Sequence, residues 1–471
     1  MTGAAPVERG NLLLVFGDEH RRQALGCYGN QDVRTPVLDR LAAEGVRFTR
    51  ACANTPVCTP SRGSLLTGCW PQRHRALGND LPVDPHAPSI ARALNAAGYA
   101  CGYVGKWHLG GIPRWRFVPP GPERLGFDAF WASWNCHHDY FRPKYYRDTP
   151  APVVLEGRYE PEVQTDLALD WLRERCERAP QLPWCLFVAY GPPHSPYRPL
   201  PPGMEGVYDP AALALRPNCL DTPQARQDLA DYYAHVTALD GQVGRLVAFL
   251  RDTDQLDRTL VVYTSDHGTL LESHGRRYKQ WPYEESIGIP LVIRYGDHLP
   301  RGRLDDHLIG VIDFAPTLLG LLGAAAPDRE AMQGRDLSEA ILRPESRLTR
   351  PQSVYLQEAT AGDQAVRQGM RPWRGVRTAR YTYARGLDGP WLLFDNLEDP
   401  YQLRNLAHEP AASGLRDDLE AESRAWMAAI GDALEPVEAL MARHGLAEAW
   451  AAREAHLHHR GAMSGSPTGR E

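Results

Sequence analysis

Five short apolar runs recur along the chain, at residues 12–16, 99–104, 185–190, 260–264 and 290–294, and each closes in polar residues. Runs of this length suit strands buried on both faces. Between them apolar positions return every three or four residues over 36–44, 89–97, 164–178 and 225–251, the spacing of amphipathic helices. Strand alternating with helix predicts an α/β fold, a large and mostly parallel central sheet flanked by helices on both faces. A further apolar helix over 311–322 runs into Gly323 and Pro327, and the polar stretch that follows, to about Gln352, reads as a linker. Strand-like pieces at 353–357, 375–377, 381–384 and 391–395 then lie close together, predicting a small antiparallel sheet, with a helix from about Ala411. The expected division is a large domain over 1–350, a smaller α+β domain over 351–455, and a tail over 456–471, rich in Gly, Ser and His, that is expected to be disordered.

In open parallel sheets ligands bind beyond the carboxyl ends of the strands. The first run ends in Asp18-Glu19, the second in Gly105-Lys106-Trp107-His108, the third in Pro193-His194 and the fourth in Asp266-His267-Gly268. Taken singly, such a pair reads as a cap or a solvated turn. Together they bring three carboxylates, three histidines and a lysine to one sheet edge, the oxygen-rich cluster a hard cation needs. A second focus is Cys58-Thr59-Pro60-Ser61-Arg62, continuing to Thr67-Gly68. Thr59 can cap a helix that Pro60 opens, which would set Cys58 against unpaired backbone N–H groups and the positive helix end, a place that favours an anionic ester.

The remaining composition narrows the partners. A chain of 471 residues exceeds the size of one core, 43% apolar residues make it globular, and a net charge of −6 without basic blocks excludes a nucleic-acid or polybasic membrane footprint. No run approaches a membrane span, and residues 1–10 lack a basic start followed by an apolar core, so a cytoplasmic location is expected. Nine cysteines, at 27, 52, 58, 69, 101, 136, 176, 185 and 219, form no CxxC pair and suit neither a disulfide framework nor a zinc ribbon.

The Cys58 to Gly68 segment resembles the signature of the formylglycine-dependent sulfatases, of the alkaline phosphatase-like superfamily. The segments Thr35 to Asp39, Gly102 to His108, Asp266 to Gly268, Lys279 with Tyr283-Glu284-Glu285, Leu393 to Pro400 and Asn405-Leu406 are similar to it too, so the resemblance covers nearly the whole chain. It implies that Cys58 is converted by a formylglycine-generating enzyme, and that the hydrated aldehyde bears the attacking hydroxyl. It implies one divalent cation, usually calcium, held by Asp18, Glu19, Asp266 and His267 together with residue 58. Arg62 and Lys106 then hold the formylglycine and offset charge, His108 is the base that releases sulfate from the enzyme, and His194 and Lys279 contact the sulfate and assist the leaving oxygen. Glu19 departs from the second aspartate of many relatives, and His267 from the asparagine of some.

A sulfate monoester is an anion that repels nucleophiles, so metal, Arg and Lys must neutralise it as charge develops. A plain alcohol would leave a stable sulfated enzyme, whereas a geminal diol has a second proton whose removal expels sulfate. The resemblance therefore implies a hydrolase of aryl or carbohydrate sulfates. A phosphonate monoester or phosphodiester hydrolase of the same superfamily, or an inactive binding protein of the same fold, is the alternative. Residues 107–146, with Trp107, His137 and His138 among their rings, are the candidate wall for a sugar or aromatic ring. The partners expected are a small-molecule or saccharide sulfate ester and the converting enzyme, with no nucleic acid and no membrane; a homo-oligomer is compatible with the sequence.

Overall fold

A computed structural model of the chain describes residues 10–343 and 351–464. Residues 1–9, most of the segment read as lacking a secretory signal, part of the expected linker (344–350) and the end of the tail (465–471) lie outside the described residues. The central sheet has eight strands: β1 (Asn11–Asp18), β2 (Val46–Phe48), β3 (Ala100–Lys106), β4 (Phe130–Trp134), β5 (Trp184–Pro193), β6 (Thr259–Ser265), β7 (Leu291–Arg294) and β8 (Arg303–Asp305). Their order across the sheet is β8-β2-β7-β6-β1-β5-β3-β4. β6, β1, β5, β3 and β4 run parallel.

Side chains alternate across a strand, and β1 shows the consequence. Leu12, Leu14 and Phe16 enter one core with the helices Ile90–Ala96 and Phe314–Leu321, while Leu13 and Val15 enter the other with Pro36–Ala43, Glu160–Arg178 and Pro223–Asp252. Each fully buried Leu or Phe contributes roughly 1.5–3 kcal/mol relative to exposure. The two cores explain why the strands read as unbroken apolar runs.

β7 runs antiparallel to both β6 and β2, unlike the other predicted strands. Residues 266–290 stay at the carboxyl edge and build the site loops, with only the short helix Glu284–Ile287, so the chain re-enters the sheet from the end it left. β2, β4 and β8 had not been predicted, β2 and β8 because three residues carry too little periodicity and β4 because its Phe-Trp-Ala-Ser-Trp read as pocket wall.

A second sheet, a four-stranded antiparallel meander, comprises β9 (Ser353–Glu358), β10 (Trp373–Thr378), β11 (Tyr381–Gly386) and β12 (Gly389–Asp395), covered by the helix Ser413–Ile430. It is tied to the central sheet through Glu284, which accepts from Arg22 at 2.8 Å and from Arg377 at 2.7 Å. Burial would raise the Glu284 carboxyl, but the two guanidiniums outweigh it and hold it down to about 2. The final helix, Ala447–Ser464, carries the chain into the stretch from 456 onward where disorder was expected. Among the described residues no helix is long and apolar enough to cross a membrane.

Candidate active site

The register levels the strand ends. Gly17 pairs with Tyr190 on one side and Ser265 on the other, and Gly105 pairs with Ala189, so the residues that follow meet at one edge. Gly105 has φ +105°, and a Cβ there would stand 2.1 Å from the Ala189 carbonyl oxygen, so only glycine lets β3 turn Lys106 into the site. Glu19 and His108, non-glycine residues at φ 64° and 57°, hold strained backbone at two of these ends.

Cys58 is the first residue of the buried helix Cys58–Thr67, whose N-cap is Val57. This corrects the expected cap at Thr59. The Thr59 hydroxyl instead donates to the His108 carbonyl at 2.9 Å, while its backbone N–H donates to Asn79 Oδ1 at 2.9 Å, which locks the helix start to two site loops. Arg62 lies four residues along, on the same helix face as Cys58. Its guanidinium donates to Asp266 Oδ2 (2.9 Å), Asp18 Oδ2 (3.3 Å) and the Lys106 carbonyl (2.8 Å), joining three strand ends.

Lys106 Nζ donates to Asp18 Oδ2 at 2.5 Å. Asp18 Oδ1 lies 3.6 Å from Cys58 Sγ, and His267 Nε2 lies 3.3 Å from that sulfur and 3.7 Å from Asp18 Oδ1 and Asp266 Oδ1. His267 Nδ1 faces the Gly268 carbonyl at 2.9 Å, which leaves Nε2 as the donor atom toward the cluster. Lys279 Nζ contacts Glu19 Oε1 and lies 2.9 Å from His194 Nε2, which itself is 3.1 Å from Glu19 Oε1. His194 stacks on His138 at 4.2 Å. Burial and Asp18 would raise the Cys58 thiol, yet Lys279, Lys106 and His267 hold it well below its ordinary value. Such a pocket stabilises an anion.

Ligand atoms of Asp18, Cys58, Asp266 and His267, all buried, lie within 4.8 Å of one another. Oxygen ligands sit about 2.3–2.6 Å from calcium, so donors around one ion are separated by at most about 5 Å. Two buried carboxylates with one imidazole therefore fit a hard divalent cation, with Cys58 Sγ beside them. Glu19 belongs to a second set with Asp18 and His194. Its carboxylate is held by Lys279 and His194, one step from the quartet.

Two further residues were not seen in the sequence. His108 Nε2 is 3.0 Å from Asp80 Oδ1, and Arg114 clamps the same carboxylate through Nε and Nη2, both at 2.9 Å. Burial would lower the His108 pKa, but the Cys136 thiolate beside it and Asp80 push it up to about 10. Nothing in the local Gly78-Asn79-Asp80-Leu81 pattern signals this pairing across 28 residues. Trp107, expected against substrate, is instead fully buried, packed edge-on against Tyr103 and Trp131 at 5.0 Å each, because the chain turns its ring under the site. His138 reaches the site through His194, whereas His137 pairs with Glu160 at 2.8 Å, beside the site.

The family described as Sulfatase matches residues 10–324, and the family described as N-sulphoglucosamine sulphohydrolase, C-terminal, matches residues 272–427. The chain is 36% identical to an ulvan-active sulfatase of Formosa agariphila, over 90% of this chain and 82% of that protein. It is 30% identical to an endo-4-O-sulfatase of Bacteroides thetaiotaomicron, over 86% of this chain and 89% of the other. The crystal structure of a Bacteroides fragilis protein assigned as a sulfatase superposes with a TM-score of 0.82 at 28% identity, covering 92% of this chain and 98% of that one. The chain thus belongs to the sulfatase family, within the alkaline phosphatase-like superfamily, and is a sulfuric ester hydrolase.

Proposed function

We propose that this enzyme removes sulfate from sulfated saccharides, using a hydrated formylglycine made from Cys58 and one divalent cation, calcium in the family's usual form. The observation that carries the reading is the convergence of Asp18, Asp266 and His267 on Cys58 at a helix start, with Arg62, Lys106 and Lys279 around them. The saccharide class follows from the relatives, an ulvan-active sulfatase and an endo-4-O-sulfatase. When present, formylglycine supplies a hydroxyl nucleophile with a second ionisable hydroxyl, and the cation offsets the charge of the ester. Cys58 is 1% exposed, so its conversion has to precede folding.

The chain's own residues then have distinct tasks. Arg62 fixes Asp18 and Asp266 so that their repulsion does not spread the site. Lys106 and Lys279 flank the sulfate position with positive charge, which stabilises negative charge as it grows on the transferring group. His194, 2.9 Å from Lys279 Nζ and stacked on His138, stands with that ammonium where the leaving oxygen is assisted. His108, oriented by Asp80 as a catalytic histidine is oriented by its carboxylate, takes the proton whose loss releases sulfate after passing on the one that its anionic neighbours hold on it at rest.

Mass spectrometry of the peptide containing residue 58, paired with rates on saccharide sulfates, 4-nitrophenyl sulfate, an aryl phosphonate and a phosphodiester, tests the reading. An aldehyde at residue 58 and a preference for saccharide sulfates are expected. An active enzyme with an unmodified thiol would overturn the mechanism, and faster phosphonate or diester turnover would overturn the substrate class.

A further inference from the structure

A line of rings leads outward from His194. His138 stacks on it at 4.2 Å; next along the chain, the His137 ring stands edge-on to Trp134 at 6.1 Å, and Trp134 stacks on Tyr146 at 4.7 Å and 6°. The Tyr146 hydroxyl donates to the Trp115 carbonyl at 2.9 Å, which fixes the backbone of a tryptophan that is 51% exposed. Tyr146 is buried, His137, His138 and Trp134 are half-buried and Trp115 is open, so access to solvent is greatest at the outer end.

The outer end is anchored to the catalytic centre from two sides. Trp115 follows Arg114, which clamps the carboxylate of Asp80 that holds His108. Across from it, His456 of the last helix packs its ring 5.7 Å from Trp115. Three residues earlier, on the same face of that helix, Arg453 Nε donates to the Asn79 carbonyl at 3.1 Å. Asn79 is the residue whose side chain holds the backbone of Thr59 at the start of the Cys58 helix. His456 Nε2 is a buried polar atom with no hydrogen-bond partner among the described residues.

We propose that this wall is an extended saccharide track, and that Trp115 with His456 forms a distal subsite for a sugar ring beyond the one whose sulfate is cleaved. Sugar rings present apolar C–H faces that stack on aromatic rings, and Trp115, exposed and propped by the His456 ring, offers such a face. The subsite rests on the saccharide reading above and adds to it a preference for chains over short fragments. No bond is made or broken there; the subsite acts through binding alone.

The test compares wild type with Trp115→Ala, Trp115→Tyr and His456→Ala, on 4-nitrophenyl sulfate and on size-fractionated ulvan and chondroitin sulfate fragments from disaccharide to hexasaccharide. For wild type, kcat/KM should rise with fragment length on whichever polymer is desulfated. Trp115→Ala should lose about tenfold more on the longest fragment than on 4-nitrophenyl sulfate, the value of roughly 60 Å² of apolar ring surface withdrawn from water. His456→Ala should show the same bias more weakly, and Trp115→Tyr should recover most of the loss. Rates independent of fragment length, or equal losses on both substrate kinds, overturn the subsite while the saccharide reading stands. Turnover of 4-nitrophenyl sulfate with no desulfation of either polymer overturns both.

Discussion

Replacing Asp80 by asparagine keeps the volume and one acceptor but removes the negative charge that faces His108 and Arg114. Asp80 is buried, and its neighbours hold its carboxyl well below the ordinary range against burial, so it is charged at every working pH. The histidine's displacement from 6.5 to about 10 corresponds to at most about 5 kcal/mol. Cys136 precedes Asp80 among the causes that raise it, so Asp80 carries the smaller share of that displacement. A histidine whose folded pKa is raised adds stability that is complete below about pH 6.5 and gone once the pH has passed about 10. The variant's deficit, read from denaturant unfolding at a series of pH values, should therefore be largest near pH 6 and shrink toward pH 10, leaving only the pH-independent part owed to Arg114. Activity should fall about a hundredfold, the usual scale of one positioned acid or base. The loss should be in sulfate release, so that quenched turnover shows a residue 58 peptide heavier by one sulfo group. A deficit of equal size at every pH, or full activity without that adduct, would refute the assignment of Asp80 and His108.

Cys58→Ala should abolish turnover, and because it trims only one small buried side chain it should cost no more than about 1–2 kcal/mol by thermal unfolding; measurable turnover of saccharide sulfates by that variant counts against the nucleophile. Exhaustive chelation should stop the reaction and calcium restore it, with a lower melting temperature for the stripped protein because Asp18 and Asp266 then keep only Arg62 and Lys106 as direct counter-charges. His194→Ala and Lys279→Ala should lose most on esters of poorly acidic alcohols and least on 4-nitrophenyl sulfate, with no sulfated adduct; a uniform loss across leaving groups would remove their assigned role. Glu358 is buried with one carboxyl oxygen unpartnered among the described residues, and burial pushes its pKa up to about 8. Its folded form retains a proton that the unfolded chain gives up above pH 4.5, so stability declines from there to pH 8. Glu358→Gln should remove that decline and raise stability at pH 8 by roughly 2–3 kcal/mol, while an unchanged pH profile would show that Glu358 is not the group responsible.

What the sequence determined by itself is local and periodic. The runs at 12–16, 185–190 and 260–264 could be read as buried strands because both faces of β1, β5 and β6 are covered, so every position had to be apolar. The polar residues after them, Asp18, Lys106, His194 and Asp266, could be read as a site because a parallel sheet delivers strand ends to one edge whatever its details. Tertiary structure decided what depends on distant partners. Thr59 reads as a cap, but the fold supplies the His108 carbonyl as a better-placed acceptor for its hydroxyl. Trp107 lies between two site residues in sequence, yet its ring turns into the core, where a large apolar surface gains most by leaving water. The direction of β7 was set by where residues 266–290 leave the sheet, and no pattern within 290–294 records that. Asp80, the partner of His108, and His456, the partner of Trp115, were brought in by chain segments 28 and 341 residues away, and a pairing made by two converging backbones leaves no spacing signal in either segment.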